Sequence, residues 1–204
     1  MEDTDVSRKL VEASKTKVLD LSGCRLTYDM PVGLESIKYL KSINLYKNFF
    51  PTIPKELSEY TMLEELSLLR NKVQEIPEHI ADFVNLKILN LGSNKLETLP
   101  IHLFKLKLLE ELDLSNNALS ILPAGISGLA SLRDLKVFRN QLKSVPSELN
   151  QLSQLKKLDI SHNQIVALPS NLAELSSLIV LSKSTLYRFL TLRCQRESST
   201  VASH

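Results

Sequence analysis

Histidine and cysteine are the side chains of this sequence best suited to bind a metal ion or to act as a nucleophile. No two of them have the spacing of a zinc site, and His162 stands beside a repeated asparagine, where a surface residue is expected. Cys194 lies in a polar stretch without a base as partner, which favours an exposed free thiol over a nucleophile. We therefore predict no metal site and no catalytic thiol in the full set: His79, His102, His162, His204, Cys24 and Cys194.

Sequence signatures of catalysis and nucleotide binding are also missing. The chain has five glycines, and none forms a G-x-G-x-x-G or Walker-type loop. Neither H-E-x-x-H nor C-x-x-C occurs. With 23 acidic residues, carboxylate pairs arise by chance and do not indicate an acid/base dyad. The sequence predicts a protein that is not an enzyme and needs no cofactor.

Composition indicates a folded chain and argues against nucleic acid as its main partner. Hydrophobic residues make up 43% of 204 residues, and the formal net charge of +2 is too small for a nucleic-acid-binding domain. No apolar run approaches the ~20 residues needed to span a bilayer, so membrane insertion is not expected. The acidic start, MEDTDVSRKL, does not resemble a secretory signal, and only two cysteines are present. A reducing, cytoplasmic location is therefore expected.

One sequence motif is repeated along the chain, and it must encode the secondary-structure elements of the fold. LKILNLGSNKLETLP at 86–100 and LEELDLSNNALSILP at 109–123 have the same residue classes in the same order. Cys24 takes the place of the repeated asparagine one unit earlier, at a spacing of 24. The asparagines recur every 23 residues, at Asn48, Asn71, Asn94, Asn117, Asn140 and Asn163.

Each unit contains a short strand and a tight return. Leucines two apart, such as Leu89 and Leu91, predict a strand with one buried face. Apolar residues three apart, such as Leu103 and Leu106, suit a 3₁₀-like return after an apolar–Pro pair. A single unit buries too little apolar surface to offset the entropy of ordering its backbone, so the units must stack. We expect each asparagine to satisfy buried backbone groups of neighbouring units, which Cys24 can do only weakly.

These motifs resemble leucine-rich repeats, and the LPxxLxxL tail at 23 residues resembles the intracellular class found in Ras-linked scaffold proteins. The resemblance extends over about 17–181 and implies an α/β solenoid curved into a horseshoe. The parallel sheet would form the concave face, with short 3₁₀ or helical returns on the convex face. The resemblance also implies protein binding, with small GTPases or their regulators and phosphatase complexes as partner classes.

The expected domain organisation has three parts. Residues 1–15 predict an N-terminal capping helix with Val6, Leu10 and Ala13 on one face. Residues 16–181 hold about seven repeats and a partial one. The segment 182–204 departs from the repeat, with Lys183 and Leu186 where an apolar residue and asparagine are expected, and looks partly disordered. It is either a makeshift helical cap or the end of a shortened or alternatively spliced array.

The binding site is expected on the concave face, where the repeat leaves residue identity free. Tyr46 and Leu69 should be neighbours, and Phe138 should rise about three strand spacings further on. Aromatic residues and arginine dominate protein interfaces, although single exposed side chains are normal on any surface. The glutamates of the pairs 64–65 and 110–111 can instead form ion pairs across neighbouring strands, with Lys41, Lys87, Arg133 and Lys136. The predicted partner-binding residues are Tyr46, Lys47, Leu69, Arg70, Asp113, Phe138 and Arg139.

Two functions fit these features. The first is a non-enzymatic scaffold or adaptor in intracellular signalling that binds a protein on its concave face. The alternative is a substrate-recognition or regulatory subunit of an enzyme complex, such as a phosphatase, a GTPase regulator or a ubiquitin ligase.

Overall fold

A computed structural model of the chain describes residues 2–175 and 180–181. The predicted divergent tail, 182–204, lies outside the described residues, so both accounts of it stay predictions. The division into three domains likewise stays a prediction.

Each repeat contributes one short strand, and the strands form one parallel sheet in chain order. The register pairs equivalent residues of successive repeats, so Leu66 lies opposite Leu89, and Leu89 opposite Leu112. These central leucines are buried, while the residues on either side of them face solvent to a greater degree. The strands are β1 (Val18–Asp20), β2 (Ser42–Asn44), β3 (Glu65–Ser67), β4 (Ile88–Asn90), β5 (Glu111–Asp113), β6 (Asp134–Lys136), β7 (Lys157–Asp159) and β8 (Val180–Leu181).

The returns between strands are single 3₁₀ helices, as the three-residue spacing predicts. A proline directly precedes each of the last six described returns; its fixed φ and missing N–H suit the first position of a helical turn. Buried residues such as Leu103 and Ile126 point from these returns into the core. The 3₁₀ helices are Leu34–Ser36, Lys55–Glu59, Glu78–Asp82, Ile101–Lys105, Ala124–Gly128, Ser147–Gln151 and Ser170–Glu174.

A helix covers the first strand. Helix α1 runs from Glu2 to Thr16 and packs against β1. Ala13 is fully buried in this contact, and Val6 and Leu10 are partly buried against the core. The three residues lie on one face of α1, in agreement with their spacing.

The core lies between the sheet and the returns and forms one continuous apolar cluster in the described residues. Every repeat adds leucines or their equivalents to it, so neighbouring repeats bury each other's apolar side chains. The predicted solenoid, with a parallel sheet on one side and 3₁₀ returns on the other, is confirmed. We refer to the solvent side of the sheet as the sheet face.

A ladder of asparagine side chains joins successive repeats at the turn after each strand. In Asn117, Nδ2 donates to the carbonyls of Leu91 and Leu114, each at 3.0 Å, while Oδ1 accepts from the Leu96 N–H at 2.9 Å. One side chain therefore satisfies three backbone groups, in its own repeat and in the preceding one. The predicted role of the asparagines is confirmed, because the same bonds recur at Asn48, Asn71, Asn94, Asn140 and Asn163.

The first repeat lacks this bridge. Cys24 makes only long sulfur contacts, to the Lys9 ammonium at 3.6 Å and to the Ser22 carbonyl at 3.7 Å. Thiols are weak hydrogen-bonding groups, so the first turn is held less firmly than those that follow.

The residue before each asparagine has left-handed backbone. Its φ lies between 52° and 56° in six successive repeats, and glycine takes the equivalent place in the first repeat, at Gly23. The turn therefore reverses direction within one residue and leaves the side chain there outside the core. The six residues are Lys47, Arg70, Ser93, Asn116, Arg139 and His162.

Replacing one asparagine of the ladder tests its contribution to stability. Asn117→Ala leaves two carbonyls and one N–H without their partner, and we expect a loss of about 2 kcal/mol or more in the free energy of unfolding. Urea unfolding followed by circular dichroism measures it. The matched control is Asn85→Ala, which removes one surface bond to the Thr61 carbonyl and should cost about 1 kcal/mol or less. Equal losses in the two variants would contradict the role assigned to the ladder.

Candidate binding surface

The predicted binding residues lie along the edge of the sheet face, in the turns that follow the strands. Lys47, Arg70 and Arg139 are exposed. Tyr46 and Leu69, by contrast, are half-buried, as is Phe138, rather than fully exposed as the sequence suggests. Each of these apolar side chains packs partly against its neighbours while part of it stays accessible.

Tyr46 and Leu69 line one groove on the sheet face. The groove crosses β1 to β4, encloses about 510 Å³, and includes two further apolar side chains, Val18 and Ile88. Val18 is 48% exposed, although it lies on a strand. The buried Ile43 and Leu66 also line the groove, and polar residues of the strands complete the lining: Asp20, Ser42, Asn44, Glu65, Ser67 and Asn90.

Val18 and Ile88 are members of this groove that sequence reasoning missed. Both occupy the first position of a strand, which faces outward. The same position holds Glu65 in β3 and Glu111 in β5. An apolar residue at a position that is polar in β2, β3, β5, β6 and β7 is the signal that could have identified them.

Phe138 is separate from the groove. It follows β6, and three strand spacings, or about 14 Å, separate its position from that of Leu69. Gly92 lies between them, and a Cβ there would come within 3.1 Å of Leu69 Cδ1. Leu69 therefore leans over Gly92 and fills part of the space above it.

Arg70 and Tyr46 are in direct contact, as their neighbouring positions suggest. Arg70 Nη1 donates to the Tyr46 hydroxyl at 3.3 Å, and Arg70 Cζ lies 5.9 Å from the centre of the Tyr46 ring. A second pair, not foreseen from the sequence, lies beside it. Lys72 Nζ is 4.7 Å from the ring of Phe49, which is 42% exposed. Both contacts join a cation of one repeat to an aromatic residue of the preceding repeat.

Asp113 has a structural role in its own turn. Its Oδ1 accepts a hydrogen bond from the Ser115 N–H at 2.9 Å, which satisfies a backbone group just after β5. Its role in partner binding stays a prediction. The same turn bond is formed by Asp20, Asn44, Asn90 and Asp159.

Ion pairs join the residues that precede successive strands. Glu64 lies 2.9 Å from Lys41 and 2.6 Å from Lys87, and Glu110 lies 3.3 Å from Arg133. Hydrogen bonds from Lys87, which has the larger effect, and from Lys41 lower the pKa of Glu64 to about 2. The predicted pairing with neighbouring basic residues is confirmed for Glu64 and Glu110, whereas Glu65 and Glu111 form no ion pair with a described residue.

Lys136 forms a different pair from the one predicted. It lies 3.8 Å from Asp134, and Lys157 lies 3.7 Å from the same carboxylate. The two lysine side chains cover Asp134, which is only 8% exposed although it faces outward from β6. Asp134 is therefore a paired structural charge rather than an open acidic group beside Asp113.

The described residues contain neither a metal-binding cluster nor a membrane-spanning helix. Within 2–175 and 180–181, no three of the histidine, cysteine, aspartate and glutamate side chains group as a metal site would require. The one α-helix of this part of the chain is too short and too polar to cross a bilayer.

Comparison with known families identifies the repeat. One leucine-rich repeat model matches residues 84–142, and a second matches 15–37 and 154–175, so that together they cover about half of the chain. The chain belongs to the leucine-rich repeat family. Such repeats generally mediate protein–protein interaction and are typically not catalytic.

Solved leucine-rich repeat structures resemble this one. A leucine-rich repeat protein of Leptospira interrogans is 30% identical with a TM-score of 0.74, over 81% of this chain and 48% of that one. The ectodomain of the Arabidopsis thaliana receptor kinase GASSHO1/SCHENGEN3 is 34% identical with a TM-score of 0.70, over 80% of this chain and 20% of that one. The plant peptide hormone receptor RGFR1 is 30% identical with a TM-score of 0.67, over 78% and 27%.

These leucine-rich repeat proteins are longer than this chain, which spans about half or less of each. No curated protein sequence matches the chain significantly.

The ion pairs of Glu64 predict a dependence of stability on pH. Because the pKa of Glu64 is lowered from 4.5 to about 2, its stabilising effect is present above pH 4.5 and is lost as the pH falls towards 2. The stability advantage of the wild type over Glu64→Gln should therefore be larger near neutral pH than at about pH 3, and salt should reduce it. Urea unfolding at the two pH values measures the difference.

Glu65→Gln is the matched control for that experiment. Glu65 is the next residue and accepts a hydrogen bond from Ser42, but it forms no ion pair among the described residues. If the two glutamine variants show the same pH dependence, the ion pairs of Glu64 are not its cause.

Proposed function

We propose that this protein is a non-enzymatic adaptor that binds another protein on its sheet face. The observation that carries the proposal is the groove across β1 to β4, where Tyr46, Leu69, Val18 and Ile88 are accessible together. The core of the solenoid does not need apolar side chains at these positions, because the equivalent positions of the other repeats, apart from Phe138 and Val180, are polar or glycine. An apolar surface that the fold does not require is typical of a binding site.

The composition of the groove supports a protein partner. A central apolar strip with tyrosine and a rim of polar and charged groups is the usual anatomy of a protein interface. Arg70 beside Tyr46 adds a residue type that is common among the side chains that dominate binding energy. The groove is open along the strands, which suits a polypeptide surface better than a small molecule enclosed on most sides.

The structural relatives support the same function. Two of them were solved as complexes: GASSHO1/SCHENGEN3 with CASPARIAN STRIP INTEGRITY FACTOR 2, and the peptide hormone receptor RGFR1 with RGF2. Both are receptors, and the part of each that resembles this chain is a leucine-rich repeat array.

We further propose a cytoplasmic role in signalling, with small GTPases or their regulators as the first partners to test. This proposal is supported by the 23-residue spacing and the LPxxLxxL tail, which resemble those of Ras-linked scaffold proteins. Phe138 and Arg139 are proposed as a second contact region for a partner large enough to reach beyond the groove.

Serine substitutions in the groove test the proposed site. Tyr46→Ser and Leu69→Ser should each weaken partner binding by about 2 kcal/mol, or roughly thirtyfold, if these side chains anchor the interface. Partners are captured from cell extract with the wild-type protein, identified and purified, and the dissociation constants are then measured by calorimetry. Phe138→Ser shows whether the interface extends beyond the groove, and a change in a partner's catalytic activity on binding would indicate a regulatory subunit.

The matched control is a pair of apolar side chains on the opposite side of the solenoid. Ile101 and Leu108 are 73% and 45% exposed, so Ile101→Ser and Leu108→Ser remove similar apolar area away from the sheet face. Partner binding that survives the groove variants but not the control variants would move the site to the convex side.

A further inference from the structure

The cations at the edge of the sheet face differ from those that precede the strands in one respect. Lys41 and Lys87 are paired with Glu64, and Arg133 is paired with Glu110. Lys47, Arg70 and Lys72, in the turns after β2 and β3, form no ion pair with any described residue. All three are exposed. We call these three residues the edge patch.

The backbone holds the edge patch in a fixed arrangement. The Lys47 N–H donates to the Leu69 carbonyl at 2.9 Å, and the Lys72 N–H donates to the Phe50 carbonyl at 3.0 Å. These bonds join consecutive repeats, so the backbones of Lys47 and Arg70 lie about one strand spacing apart, close to 5 Å, and Lys72 follows Arg70 in the same turn. Like charges on adjacent turns repel one another, and a negatively charged ligand relieves the repulsion.

Two aromatic rings position Arg70 and Lys72 and leave most of their N–H donors free. Lys72 lies over Phe49 and Arg70 lies over Tyr46, and a ring face attracts a cation but does not accept strong hydrogen bonds. Arg70 gives one N–H to the Tyr46 hydroxyl, and guanidinium has five such donors. The edge patch is therefore a preorganised set of donors whose remaining N–H groups point to no described acceptor.

We infer that the edge patch binds an acidic segment, rich in aspartate and glutamate, of the protein partner. This inference rests on the proposed function, because it assigns the chemistry of a segment that continues from the adjacent groove. Carboxylates are the complement of these donors, and charge-assisted bonds to lysine and arginine are stronger than neutral ones. The charges of the edge patch would also accelerate the encounter with such a partner.

A protein segment fits the surroundings better than a polyanion does. The carboxylates of Asp20 and Glu65 line the groove beside the edge patch, and they would repel a continuous phosphate backbone or an anionic membrane. On the other side, Lys95 shares a hollow of about 630 Å³ with Glu75 and Glu97, which limits the basic area. A cation of this chain covers one face of the Tyr46 ring and one face of the Phe49 ring, which reduces the ring surface available for stacking bases.

Titration with a synthetic peptide tests the inference on the full chain. The probe is a peptide of about ten residues that alternates glutamate with serine, added to ¹⁵N-labelled protein at low salt, where exposed charges are least screened. NMR shift changes should concentrate at Lys47, Arg70 and Lys72, and raising the salt should weaken binding. The same peptide with glutamine in place of glutamate should bind about tenfold more weakly or not at all.

Charge variants locate the effect. A triple variant that combines the three changes should bind the glutamate peptide about tenfold more weakly or worse; the changes are Lys47→Gln, Arg70→Gln and Lys72→Gln. The control changes the same number of exposed lysines elsewhere on the chain, as Lys38→Gln, Lys55→Gln and Lys105→Gln, and should leave binding within about twofold. Phe49→Leu keeps every cation but removes one ring, and an intermediate loss is expected. Thermal melts establish that all variants are folded.

Three results would overturn the inference. One is equal weakening by the control triple, which would show that only net charge matters. Another is absence of shift changes at the edge patch. The third is tighter binding of single-stranded DNA or of anionic phospholipid vesicles at the same residues, which would assign the patch to another class of ligand.

The outcome is separable from that of the proposed function. The inference and the proposed function are both supported if the triple glutamine variant loses peptide binding and Leu69→Ser abolishes partner capture. If the peptide does not bind but Leu69→Ser still abolishes capture, the inference fails and the proposed function stands. If the peptide binds and Leu69→Ser changes nothing, the groove fails as the site and the edge patch stands.

Discussion

The backbone groups buried at the turn after each strand must be hydrogen-bonded, and the rest of the structure depends on how this is done. A turn that is tight enough to end a three-residue strand leaves carbonyls facing inward, away from water. One asparagine per repeat reaches the carbonyls of two repeats and the N–H that follows the preceding turn. Because the bridge always links neighbours, the repeats stay in one register and the strands align as one sheet.

This constraint assigns different tasks to the sides of the molecule. The inward positions of each repeat carry leucine or its equivalents, which leaves little freedom of residue choice. Charges before the strands are paired with one another, so they stabilise the array without attracting a partner strongly. Most outward-facing strand positions neither fill the core nor form ion pairs; the apolar groove lies on them, and the unpaired cations lie in the adjoining turns.

Much of the fold could be predicted from the sequence because the same constraint repeats every 23 residues. Asn94 and Asn117, for example, share both their spacing and their hydrogen-bond partners. The candidate surface was predicted less completely, since it depends on how individual side chains lean. Leu69 lies over Gly92, Lys72 lies over Phe49, and Asp134 is covered by two lysines. Such contacts involve long side chains with many rotamers, which a periodic pattern does not specify.

The left-handed residue before each asparagine has a consequence for how the repeat can be altered. Glycine occupies that place in the first repeat and adopts the conformation without strain, whereas any other residue except asparagine pays roughly 1 kcal/mol to stand there. Lys47, Arg70 and Arg139 are thus side chains displayed at some expense of thermostability. For protein engineering, these left-handed positions of successive repeats are interchangeable sites about 5 Å apart that do not touch the core. Ser93, whose side chain is small, is the natural place to recover stability with glycine, or to add a new functional group to the display.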